Sequence, residues 1–151
     1  MNKYQHTLEK LENNTAKRSI TLVIEGALIG VLAGLTAVLY RYCLTYAESG
    51  LYAVLNFIRG NAGVTALWFA ALILMGCIVA KIVKWEPMAA GSGIPQVSGE
   101  VRGYLDQSFW RVVLAKFTGG TLSIFGGLSL GREGPSIQLG AMVAKSYSRL
   151  R

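Results

Sequence analysis

The stretch Gly131-Arg132-Glu133-Gly134-Pro135 separates one apolar run that ends near Leu130 from another that begins at Ile137. Proline has a fixed φ and no N–H, so Pro135 predicts the start of a helix, over 134–151. The glycines beside Glu133 let the main chain approach a ligand with its N–H groups exposed. With the positive end of the helix behind them, these groups predict an anion site, for which the Glu133 carboxylate competes with a transported anion.

A second stretch, Gly91-Ser92-Gly93-Ile94-Pro95-Gln96, repeats this design. Ser92 offers a hydroxyl, the glycines expose N–H groups, and the proline predicts a short broken helix over 91–98 whose dipole points back at the serine. Taken alone, such a stretch is more typical of a surface turn. Two such breaks in one membrane chain instead favour a transporter, in which helix N-termini face an anion.

The composition indicates a membrane protein rather than a soluble domain. Of 151 residues, 52% are hydrophobic and 15% are charged. The net charge of +7 comes from single basic residues between apolar runs, which does not indicate nucleic-acid binding. The sequence has no paired carboxylates, Cys/His or Ser/His constellation or P-loop, so we predict that it is not an enzyme and has no metal site or cofactor.

The order of apolar runs predicts a multi-pass helical protein. Residues 1–18 predict a helix on the membrane surface, and spans are predicted over 20–44, 64–85 and 109–130, with polar residues of 41–63 indicating a loop. Regularly spaced glycines in the first span (Gly26, Gly30, Gly34) and paired glycines in the third indicate close helix contacts. The distribution of Lys and Arg predicts a cytoplasmic N-terminus.

Lys116 lies about two turns inside the third span, where an unpaired charge is costly. Two interpretations remain open. The side chain either extends to the cytoplasmic face or raises the positive potential that an entering anion meets.

The two motifs, GSGIP and GREGP, resemble those of the CLC family of chloride channels and chloride/proton antiporters, and the resemblance covers essentially the whole chain. It implies an all-α membrane protein with broken, re-entrant helices, corresponding to the N-terminal part of an inverted-repeat fold. It also implies that Glu133 is the gating glutamate, and that Lys116 is the lysine found before GREGP. The implied anion-binding residues are Gly91, Ser92, Gly93, Arg132, Glu133 and Gly134.

The resemblance further implies that the protein moves chloride, as a channel or as an antiporter that also moves protons, across the cell (inner) membrane. The expected partners are the lipid bilayer, the remainder of the transporter, which would supply a second inverted half, and a second copy in a homodimer. Gln96 departs from the pattern, which often has Glu there. An unrelated broken-helix transporter and a structural membrane subunit are the alternatives.

Overall fold

The computed structural model describes the backbone of residues 3–150 and the side chains of residues 18–149. This part of the chain is helical and contains no β-strand. Its elements are α1 (Lys3–Ile58), α2 (Ala62–Trp85), a 3-10 turn (Pro87–Ala89), α3 (Ile94–Val101), α4 (Phe109–Phe125) and α5 (Glu133–Leu150). The short α3 and the irregular segments before α3 and α5 are the two predicted breaks.

The predicted loop over 41–63 is wrong, because α1 continues without interruption to Ile58. Tyr40, Leu44 and Ala47 are buried at spacings of four and three residues, which places them on one helix face toward the core. Polar residues of this segment, such as the exposed Arg41, occupy other faces. Residues 3–18 belong to the same helix rather than a separate one, and a position on the membrane surface stays a prediction, because the side chains of 1–17 lie outside the described part.

The core lies where α1 crosses α4 and α5. Tyr40 and Leu44 of α1 pack there with Ile124 of α4 and Leu139 of α5. Gly120 allows this contact, since a Cβ there would lie 2.4 Å from the Tyr40 hydroxyl. The close helix contact predicted for the paired glycines is therefore confirmed at Gly120.

Two helices of the described residues are long and apolar enough to cross a membrane, α1 from Arg18 to Ile58 and α2. The most hydrophobic window of each has no buried residue. No neighbouring helix within the described chain lies within 4 Å of a Cβ built at Gly26, Gly30 or Gly34. The close contact predicted for these glycines is therefore not made within the described part of the chain.

Candidate anion-binding site

The loop between α2 and α3 has a conformation that requires its two glycines. The buried Glu86 carboxylate accepts the N–H of Met88 at 3.2 Å and caps the 3-10 turn. Further along, Gly91 has φ 69° and Gly93 has φ 88°. Residues with a Cβ rarely adopt this left-handed region. The helix predicted over 91–98 therefore begins only at Ile94, after both glycines.

Three carbonyl oxygens of this loop accept hydrogen bonds from side chains of α3, α4 and α5. The hydrogen bonds run from Gln138 Nε2 to Met88 O (2.9 Å), from Gln96 Nε2 to Ala90 O (2.8 Å) and from Lys116 Nζ to Gly91 O (2.7 Å). By contrast, the N–H groups of residues 91 to 93 donate to no group of the described chain. The loop thus presents three free donors, while Ser92 Oγ lies 3.4 Å from the N–H of Ile94.

The two glycine motifs are in direct contact. A Cβ added at Gly134 would lie 2.6 Å from the Ser92 carbonyl oxygen and 2.8 Å from Ser92 Cβ. The predicted convergence of the two breaks is confirmed by this geometry. Helix α5 begins at Glu133, so Pro135 is its third residue rather than its start, which is compatible because proline fits throughout the first turn.

A cavity of about 450 Å³ opens where the two motifs meet. It is bounded by parts of α1, α2, α4 and α5 together with the loop before α3. Residues of both motifs line it, namely Gly91, Ser92, Gly131, Gly134 and Pro135, along with Lys116 and Tyr40. The remaining lining residues are mostly small or aliphatic. Such a site, apolar with a few convergent polar groups, is typical of small-ligand binding.

Lys116 is buried and lies against the loop before α3. Its residue is 5% exposed, and its ammonium group donates to Gly91 O while lining the cavity. Among the described residues no carboxylate forms an ion pair with it. The first of the two interpretations of Lys116 is therefore wrong, and its charge lies within the cavity wall.

Glu133 and Arg132 are placed differently from the glycines. Glu133 is the first residue of α5, and its side chain is exposed and does not line the cavity. The Arg132 guanidinium forms an ion pair with Glu48 of α1. The backbone N–H groups of residues 132 to 134 donate to no carbonyl of the described chain, as expected for the start of a helix. The structure therefore brings together the backbone of both motifs but not the Glu133 carboxylate.

A buried polar cluster beneath the loop was not anticipated from the sequence. Gln138 is fully buried and donates to Gln107 Oε1 at 2.6 Å, and Gln107 in turn donates to Glu100 Oε2 at 2.8 Å. Lys145 pairs with Glu100 at the outer end of the cluster. One signal was available, because Gln138 lies four residues after Gly134 and so on the same helix face.

Within the described chain, no group of three or more His, Cys, Asp or Glu side chains could hold a metal ion. The candidate site instead offers backbone N–H groups, the hydroxyl groups of Tyr40, Ser92 and Ser123 and one ammonium group, each of which can donate a hydrogen bond. Such a set of donors suits an anion.

Comparison with known proteins identifies the class. A sequence model described as voltage gated chloride channel matches residues 70–151, more than half of the chain and both glycine motifs. The chain belongs to this family, the CLC family of the resemblance, and with its two long apolar helices it is a membrane protein. The alternative of an unrelated broken-helix transporter is therefore wrong.

Individual relatives carry a more specific name. The chain is 30% identical over 131 residues to a protein named H(+)/Cl(-) exchange transporter ClcA from Vibrio campbellii, covering 84% of this chain and 28% of the relative. It is 32% identical to the protein of that name from Vibrio vulnificus (83% and 27%) and 31% identical to that from Vibrio cholerae (87% and 29%). The chain thus spans less than a third of the length of these relatives. No solved structure matches significantly.

Proposed function

We propose that this chain forms one side of a pathway that carries chloride across the membrane, without a cofactor. The observation that carries the proposal is the contact between Ser92 and Gly134, which brings the segments with unpaired N–H groups before α3 and at the start of α5 together beside one cavity. Backbone donors at helix N-termini attract anions through both hydrogen bonding and the helix dipole. The names of the relatives support chloride as the anion and protons as a second substrate.

In this proposal the Ser92 hydroxyl and the N–H groups of Gly91, Ser92 and Gly93 bind the anion at its inner side. The N–H groups of Arg132, Glu133 and Gly134 bind it at the outer side. Lys116 adds a positive charge in the wall without occupying the site. These groups together replace the hydration shell that chloride loses on entering the cavity.

Glu133 is proposed as the gate. Its place in the first turn of α5 puts a carboxylate within reach of the N–H groups that would otherwise hold the anion. A helix N-terminus favours a negative charge by roughly 0.3–2 kcal/mol, so carboxylate and anion compete for similar stabilisation. In this proposal the site is open to the anion when the Glu133 side chain is turned away from these N–H groups. Protonation removes the competing charge.

The remaining partners are proposed on the same basis. The exposed apolar surfaces of α1 and α2 contact lipid or further protein, including the remainder of the transporter and a second copy. The excess of Lys and Arg at the N-terminus and at the end of α2 supports a cytoplasmic N-terminus and insertion in the cell membrane.

Chloride flux in proteoliposomes containing the full-length protein tests the proposal. We expect Glu133→Gln to change the pH dependence of flux, and Ser92→Ala to change the preference among chloride, nitrate and fluoride. Ser98→Ala, on an exposed residue of α3, is the control and leaves both unchanged. If the Glu133 and Ser92 variants behave like the unmodified protein, the motifs serve packing only, and the structural-subunit alternative holds.

A further inference from the structure

Two glutamine side chains hold the loop before α3 by their amide nitrogens. Gln96 donates to Ala90 O at 2.8 Å, and Gln138 donates to Met88 O at 2.9 Å. In both cases the amide oxygen is buried without a hydrogen-bond partner in the described chain. A buried, unpaired carbonyl oxygen costs free energy. The orientation in which each glutamine binds a loop carbonyl therefore costs free energy, because it leaves the amide oxygen unpaired.

Holding a carbonyl also sets the direction of the next N–H group. A trans peptide is planar, and its C=O and N–H point in opposite directions. The bond from Gln96 to Ala90 O thus aims the N–H of Gly91 away from Gln96. The bond from Lys116 to Gly91 O likewise aims the N–H of Ser92 away from Lys116. Neither of these two N–H groups has a partner in the described chain, so both stay available to a ligand.

Gln138 supports the loop from below. A Cβ at Gly93 would lie 2.3 Å from Gln138 Oε1, so the side chain fills the space under that glycine. Gln107 fixes the amide of Gln138, and Glu100 fixes Gln107. These hydrogen bonds connect the loop to the buried polar cluster and restrict rotation of the loop's peptide planes.

We propose that Gln96 is a positioning residue that aims the Gly91 N–H at the anion and thereby sets the affinity for the anion and the preference among anions. Gln138 supports the same loop by packing against Gly93 and binding Met88 O. The inference rests on the proposed function of the cavity. Gln96 acts through the Ala90–Gly91 peptide and does not touch the anion itself. Its half-buried position on the first turn of α3 makes it replaceable without opening the core.

The test is Gln96→Met in the full-length protein, because methionine matches glutamine in length and cannot donate. We expect chloride binding, measured by isothermal titration calorimetry, to weaken about tenfold. We also expect the preference for chloride over nitrate to fall, which a purely structural loss would not cause. Ser98→Met, on the exposed side of α3, is the matched control. If Gln96→Met does not fold, Gln96→Leu removes the donor with a shorter side chain.

The outcomes separate the two proposals. Unchanged chloride affinity and preference in a folded Gln96 variant overturn the positioning role while the proposed function stands. If the unmodified protein binds chloride no better than Ser92→Ala, the proposed function fails, and the positioning role fails with it. Weaker binding with an altered preference, absent in Ser98→Met, supports the inference.

Discussion

Gly134, at the start of α5, lies so close to Ser92 that a Cβ at position 134 would be 2.6 Å from the Ser92 carbonyl oxygen. The contact joins two backbone segments 42 positions apart in the sequence. Since it is made by main-chain atoms, only glycine at 134 permits it. Together with the contacts of Gln138 to the loop, this packing point sets the distance between the two groups of free N–H donors.

Replacing Gly134 by alanine tests this dependence. The added methyl group meets backbone rather than a flexible side chain, so α5 must shift, at a cost of about 1–3 kcal/mol in the free energy of unfolding. We expect anion binding to weaken with it. Gly131→Ala is the control, because a Cβ there meets nothing within 4 Å. Equal stability of the two variants, measured by denaturant unfolding in detergent, would contradict the proposed close contact.

Alanine variants of Gly91 and Gly93 separate the effect of backbone strain on stability from the effect of steric overlap. Gly91→Ala places a Cβ at φ 69° in open space and should cost roughly 1–2 kcal/mol from strain alone. Gly93→Ala has similar strain at φ 88° and also collides with Gln138. We therefore expect Gly93→Ala to be the more destabilised variant in thermal unfolding. The reverse order would mean that Gln138 does not fill the space beneath Gly93.

Lys116→Met should weaken anion binding more than it weakens the fold. The substitution leaves the Gly91 carbonyl without its donor, a loss of about 1–3 kcal/mol, but it also removes a buried charge, and the two effects on stability oppose each other. The cavity loses its ammonium group in either case, so chloride titration is the informative measurement. Lys84→Met, at an exposed lysine near the end of α2, is the control. Chloride affinity equal to that of the control variant would remove Lys116 from the site.

The ion pairs of Asp106, in the connection between α3 and α4, should stabilise the fold at neutral pH but not in acid. The hydrogen bond from Lys145, the charge of Lys145 and that of Arg149 hold the pKa of Asp106 below its ordinary value of 3.8. A depressed pKa in the folded state stabilises the fold above the ordinary pKa, and this contribution is lost as the pH falls through the folded value. We expect the melting temperature to fall in that window.

Asp106→Asn provides the comparison, since asparagine does not titrate. Its melting temperature should be lower than that of the unmodified protein at neutral pH, and the difference should shrink as the pH drops below 3.8. A difference that is constant with pH would show that the Asp106 ion pairs do not contribute.

Much of the arrangement was predictable because glycine and proline report backbone geometry directly. The motifs at 91–96 and 131–135 predict both helix breaks. Their convergence is predicted because the positive N-terminal ends of both helices are expected to face one anion. The continuation of α1 through 41–58 does not follow from the sequence, because the charged residues of this segment are typical of a loop. The burial of Tyr40, Leu44 and Ala47 at helical spacing explains why the segment remains a helix.

The hydrogen bonds that hold the loop were beyond sequence reasoning. The Gln138 amide meets Met88 across 50 residues, and the Lys116 ammonium meets Gly91 across 25. Such pairs depend on how α4 and α5 pack, which no local pattern encodes. For the same reason the sequence left two interpretations of Lys116, and only its position beside Gly91 decides between them.

The bond between Gln138 and Met88 also bears on how the protein is made. The loop is synthesised before α4 and α5, so the carbonyl groups of Gly91 and Met88 precede their donors by 25 and 50 residues along the chain. A bare peptide group is costly in the hydrocarbon phase. The nascent loop therefore lacks the donor for its Met88 carbonyl until Gln138 has been synthesised, and it reaches its final conformation only when this part of α5 is present.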